Sequence, residues 1–232
     1  MAETLHLLSG GAAQGLVERL RQDFLTDTGV DIHGGFGAVG AMRAKLVGGE
    51  PCDVLILTAA IIDALQTEGR VLAGTARPLG RVRTGVAVRA GEPLPAIGDG
   101  AALRSALVAA EGIYLPDLKL ATAGIHMIDV MTKLGIRDEV AARLRPFPNG
   151  AAAMRELART TETGLIGCTQ ITEIRFTKGV ALVGPLPVEF ELATVYTAGV
   201  CAGTRVPDLA RRFVELLAGR DAEEARAVSG FE

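Results

Sequence analysis

With 232 residues, the chain has room for one sizeable domain or two smaller ones, each with a real core. A net charge of −3, two tyrosines and no tryptophan leave neither a basic footprint for nucleic acid nor a stacking platform for bases and sugars. No apolar run reaches the roughly 18 residues that would cross a bilayer, so membrane insertion is not expected.

A short apolar strand at 5–8 leads into a helix from about Ala12 to Leu25, where Leu16, Leu20 and Phe24 recur at four-residue spacing between charged residues. Thr28-Gly29 stops it, and Val30-Asp31-Ile32 begins a second strand. A helix over 38–47 ends at Gly48-Gly49, and Asp53 to Leu57 reads as the continuous apolar run of a buried parallel strand. The pattern continues with helix 60–67, strand 82–89, helix 101–110, strand 112–115, helices 122–134 and 150–160, and strand 164–168. Strands near 180–183 and 190–201 and helices 207–218 and 221–228 complete it. Repeated strand–helix–strand order implies an α/β fold with mainly parallel sheets. Passages near Gly80 to Thr84 and Pro185 to Val188 divide the chain into one lobe of 1–81 plus 190–232 and another of 82–189, joined by two crossing strands that form a hinge.

Four strand-to-helix junctions are built from small residues: Ser9-Gly10-Gly11-Ala12, Gly35 to Gly40, Ala121-Thr122-Ala123-Gly124 and Asn149-Gly150-Ala151-Ala152. A helix start carries unpaired N–H groups and partial positive charge, and small residues admit a ligand, so the expected site takes a small anion. Its expected members are Ser9, Gly11, Ala12, Ala38, Val39, Thr122, Ala123, Asn149 and Gly150, with Asn149 also capping its helix. Arg83 would clamp a carboxylate, and Cys168, Thr169 and Gln170 complete the set where a strand ends and a helix begins. Arg81 is a weaker candidate beside Arg83. His126, two residues after Gly124, is the candidate base if there is catalysis.

Bland readings hold elsewhere. Glu173 reads as a surface helix residue, and Met42, Met127, Met131 and Met154 as core. Cys52, Cys168 and Cys201 and the three histidines lack metal-site spacing, so neither metal nor cofactor is expected. The odd cysteine count leaves a thiol free, which favours a reducing compartment.

The order of these segments resembles the molybdate-binding type of periplasmic solute-binding protein, with its type 2 periplasmic-binding fold. The resemblance runs through Thr28-Gly29-Val30, Gly49-Glu50-Pro51-Cys52-Asp53-Val54, Leu65 to Val71, Ala123-Gly124, Asn149-Gly150, Gly164 to Cys168, Gly184 to Pro187 and Gly230-Phe231. It implies that the family's two ligand serines fall on Ala12 and Val39, its ligand tyrosine on Cys168, and its backbone donors on Ala123 and Gly150. All three side-chain hydroxyls are thus replaced. Each lost bond is worth about 0.5–1.5 kcal/mol, which argues against molybdate.

The implied protein is a monomeric receptor for a small anion, an organic carboxylate rather than molybdate, held in an interlobe cleft. It would pass its ligand to an ABC permease if an export signal had been removed and the protein were periplasmic; otherwise it would work in the cytoplasm. An aconitate-isomerase-like enzyme on the same scaffold is the alternative, and molybdate or tungstate binding a second one.

Overall fold

The computed structural model describes residues 4–232; Met1–Glu3, the first residues of the expected lobe 1–81, lie outside the described residues. Strand β1 (Thr4–Gly10) buries Leu5, Leu7 and Leu8, and passes through a 3-10 turn over Gly11–Ala13 into helix α1 (Gln14–Thr28). Leu16, Leu20 and Phe24 form the buried stripe of α1. Gly29 ends α1 at φ 71°, donating to the Leu25 carbonyl at 2.8 Å, a left-handed conformation that side chains resist. Strand β2 (Asp31–Gly37), helix α2 (Val39–Val47), strand β3 (Val54–Thr58) and helix α3 (Ala59–Thr67) repeat the unit.

Strand β4 (Arg77–Arg89) leads onward to α4 (Gly100–Ala109), β5 (Gly112–Pro116), α5 (Thr122–Lys133) and α6 (Arg137–Val140). After these come β6 (Leu144–Phe147), α7 (Gly150–Arg159), β7 (Leu165–Gln170), α8 (Ile171–Phe176) and β8 (Val180–Pro185). The chain ends with β9 (Ala193–Val200), α9 (Pro207–Ala218) and α10 (Glu223–Ser229).

These elements form two units, one of residues through Val82 together with Thr194–Glu232, the other Arg83–Ala193. In the first unit the strand order is β2-β1-β3-β9; β1 is parallel to β2 and β3, and β9 returns antiparallel to β3. In the second, β5 lies parallel between β6 and β7, while β4 pairs antiparallel with both β7 and β8. The fold is therefore α/β with two mixed, mainly parallel sheets flanked by helices.

The first core gathers Leu55, Ile56, Leu57 and Ile62 with the Phe24–Phe213 edge contact, whose centroids are 5.0 Å apart. The second gathers Leu103, Leu107, Ile113 and Leu115 with Met127 and Met131, and Met154 lies in a smaller cluster with Leu157. Met42 belongs to the first core, so all four methionines pack as read from the sequence. Asp53, at the end of the Gly49–Asp53 motif, is nearly buried and accepts from the His6 backbone N–H at 2.8 Å and the Thr204 hydroxyl at 2.6 Å. The motif thus ties the two strands β1 and β3 to the segment after β9.

Two elements were not anticipated: α6 and β6. Strand β6, Leu-Arg-Pro-Phe, is a partly exposed edge strand with no apolar alternation, and proline is tolerated at such an edge. Helix α6 has four residues, too short for a helical period to emerge.

Candidate functional site

In the first unit, β1 and β2 run in register with Gly10 opposite Gly37, so the turn at Gly11 and the start of α2 lie side by side at the carboxyl ends of the strands. No side chain caps either start. Gly11, Ala12, Ala38 and Val39 are buried, so this half offers backbone N–H groups among apolar methyls. Ser9 is buried too, but its hydroxyl donates to the Gly10 carbonyl at 2.9 Å. Crevices beyond strand carboxyl ends are the usual ligand positions in such sheets.

In the second unit, two helix starts that look alike in sequence differ sharply. Helix α5 follows Ala121 with no side-chain cap, leaving the first-turn N–H groups of half-buried Thr122 and buried Ala123 without a capping acceptor. Helix α7 is capped twice. The Asn149 side chain accepts from the Ala152 N–H at 2.8 Å, and the Glu173 carboxylate accepts from the Ala151 N–H at 3.2 Å. Glu173 also accepts from the Thr169 hydroxyl at 2.6 Å and from the backbone N–H groups of Gly150 and Gln170. A side chain at Gly150 is impossible here: a Cβ would stand 1.9 Å from the Thr169 oxygen and 2.1 Å from a Glu173 oxygen.

The reading of Glu173 as a surface residue is therefore corrected, because it is 5% exposed and fills the start of α7 from within the protein. Burial pushes its carboxyl above the ordinary range, against the opposing pull of its four donors. Glu173 is the third residue of α8, but no capping box marks it in the sequence, because Gln170 at the helix start makes no side-chain cap bond.

Gln170 and Thr84 face each other across the β7–β4 ladder, an arrangement that puts their side chains on one face of the sheet. They are 2% and 1% exposed, yet neither the Gln170 amide nor the Thr84 hydroxyl has a hydrogen-bond partner. Leaving a buried polar group unmatched costs about 1–3 kcal/mol, so such pairs call for an explanation. In the sequence Thr84 stands out only as the end of the Gly80–Thr84 passage between lobes.

The remaining candidates are committed elsewhere. Arg83 lies 3.9 Å from the Glu191 carboxylate, and Arg81 lies 3.7 Å from Glu232. His126 Nε2–H donates to the Phe190 carbonyl at 2.7 Å, leaving Nδ1 as its lone-pair nitrogen. Cys168 is fully buried among core side chains, and burial pushes its thiol up to about 12, which keeps it protonated and no nucleophile. An apolar groove of about 300 Å³ lies at the other end of β7, near Gly164 and Leu165, and none of the helix-start candidates lines it.

The profile of the bacterial extracellular solute-binding proteins matches residues 5–232. The chain belongs to that family. Among individual relatives, an aconitate isomerase from a Pseudomonas species is 25% identical over 99% of this chain and 87% of its own length. The fold matches the periplasmic molybdate-binding protein of Azotobacter vinelandii with a TM-score of 0.80 at 19% identity, over 98% of both chains. It matches the sulfate-binding protein of Mycobacterium tuberculosis with a TM-score of 0.75 at 18% identity, over 98% of this chain and 86% of that one. Among the described residues of this family member, no helix is long and apolar enough to cross a membrane.

Proposed function

We propose that this solute-binding protein is a receptor for a small organic carboxylate and presents it to a membrane permease. Within the second unit, the helix start at Thr122 holds the ligand's negative charge, and Gln170 with Thr84 reads its remaining oxygens. The observation that carries this reading is the buried, unmatched Gln170–Thr84 pair. An amide and a hydroxyl together donate and accept, which suits a ligand carrying both carboxylate and hydroxyl or carbonyl groups. A tetrahedral oxyanion wants donors on every side. By the family resemblance, the positions of three hydroxyl ligands fall on Ala12, Val39 and Cys168, and the N–H groups of Gly150 and Ala151 already serve Glu173.

The test is a thermal-shift panel of citrate, trans-aconitate, sulfate, molybdate and tungstate. Binding at 100 times the dissociation constant adds about 2.7 kcal/mol, a readily measured shift. A carboxylate is expected to raise the melting temperature; a response to molybdate or tungstate alone overturns the proposal.

A second reading, isomerisation of a small polycarboxylate, is favoured by the 25% identity to an aconitate isomerase along nearly the whole chain. With Nε2–H held by Phe190, Nδ1 of His126 is the available base, and helix-start N–H groups would stabilise the developing oxyanion. Proton NMR of trans-aconitate with the protein checks it: new resonances support isomerisation, and an unchanged spectrum over hours removes it for this substrate.

A further inference from the structure

Cys52 precedes β3, and Cys201 follows β9, the strand paired antiparallel with β3. Their sulfurs are 3.3 Å apart, with the Cys201 thiol donating to Cys52, although the residues are 149 positions apart in sequence. The backbone around them is pinned. The Cys201 N–H donates to the Asp53 carbonyl at 2.9 Å, Cys201 bridges Val71, and the Cys52 thiol donates to the Val54 carbonyl at 3.0 Å. Cys201 is buried, whereas Cys52 is partly exposed and reachable by a reagent in solution.

We propose that Cys52 and Cys201 are a redox-responsive pair, closed into a disulfide by an oxidant that itself carries a disulfide, such as oxidised glutathione. The Cys52 thiolate, its proton lost to water, attacks one sulfur of the oxidant, forming a mixed disulfide and releasing one thiolate. That thiolate takes the proton of Cys201. The Cys201 sulfur then attacks the Cys52 sulfur, breaking the mixed disulfide and releasing the second thiolate, which is protonated by solvent. Two protein thiols are oxidised, and one small-molecule disulfide is reduced to two thiols. Exposure sets the order, because the buried partner can act only after the accessible one has been engaged.

The pair stands apart from the helix starts and from the choice of ligand. It fastens the strand that returns the chain to the first unit, and so closes a very long loop. Long-loop closure restricts the unfolded chain most, so the oxidised form should melt several degrees higher than the reduced one.

The test uses the full chain incubated with excess oxidised glutathione, then denatured and alkylated. The reduced protein should take up label at its three cysteines, and the oxidised protein only at Cys168. Its intact mass should fall by about 2 Da, for two hydrogens, and peptide mapping should join the Cys52 and Cys201 segments. Cys52→Ser should show neither cross-link nor thermal shift. Survival of all three thiols, a stable glutathione adduct on Cys52, or a cross-link through Cys168 each overturns the proposal. The thiol count on the unaltered protein decides the matter even where a variant folds poorly.

Discussion

The starts of α5 and α7 sit in the same unit, follow neighbouring parallel strands and are both made of small residues, yet one is closed and the other open. At α7, Asn149 and Glu173 saturate the first turn, and Gly150 leaves no room for anything more. At α5 the residue before the first turn, Ala121, supplies no side-chain cap. A helix start attracts negative charge wherever it occurs. The contrast teaches that a carboxylate of the protein itself can fill one such start while a look-alike start nearby goes without a side-chain cap.

The strongest way to break this comparison is Glu173→Ala. It strips the acceptor from Thr169, Gly150 and Ala151, and should cost about 3 kcal/mol or more, seen as a large fall in urea midpoint. Formate should recover part of the loss by occupying the vacated space, as it would at an anion site. A variant as stable as the parent would show that the α7 start does not depend on Glu173.

Gln170→Met sharpens the other side. It removes an unmatched buried amide, so stability should hold or rise by about 1 kcal/mol. Carboxylate affinity should fall about 30-fold, near 2 kcal/mol, by isothermal titration. Lost stability with unchanged affinity would make Gln170 a structural residue instead.

The smallest effect is on pH dependence. Burial raises the Glu173 carboxyl above its value in the unfolded chain, so the folded protein keeps a proton that the unfolded one releases. Its contribution is full below the ordinary carboxylate range and is lost as pH rises through the folded value. The slope cannot exceed about 1.4 kcal/mol per pH unit for one proton. Denaturation curves between acid and neutral pH should show this slope in the parent and not in Glu173→Gln.

Much of the fold was legible because its strongest elements carry their own period. Leu16, Leu20 and Phe24 mark one stripe of α1, and the unbroken apolar run of β3 marks a strand covered on both faces. Strand β6 escaped because Arg145 and Pro146 interrupt any apolar pattern at an edge. In the site, Asn149 was legible as a cap because its partner, Ala152, lies three residues along. Glu173 was not, because Ile171, Thr172, Glu173 and Ile174 are all buried and no alternation marks one as inward-facing. Its partners Gly150 and Ala151 belong to another helix. The Thr84–Gln170 pairing is likewise a matter of strand register between segments far apart in sequence.

The bond from His126 to the Phe190 carbonyl has a practical use. It anchors to α5 a short surface turn, Val188–Phe190, whose first residue is 85% exposed. An environment-sensitive dye attached at Val188 would hang in solvent and still be mechanically coupled to α5, the helix whose start we propose as part of the binding site. Such a labelled protein would be an optical sensor, able to screen solutes by colour before any of them has been identified.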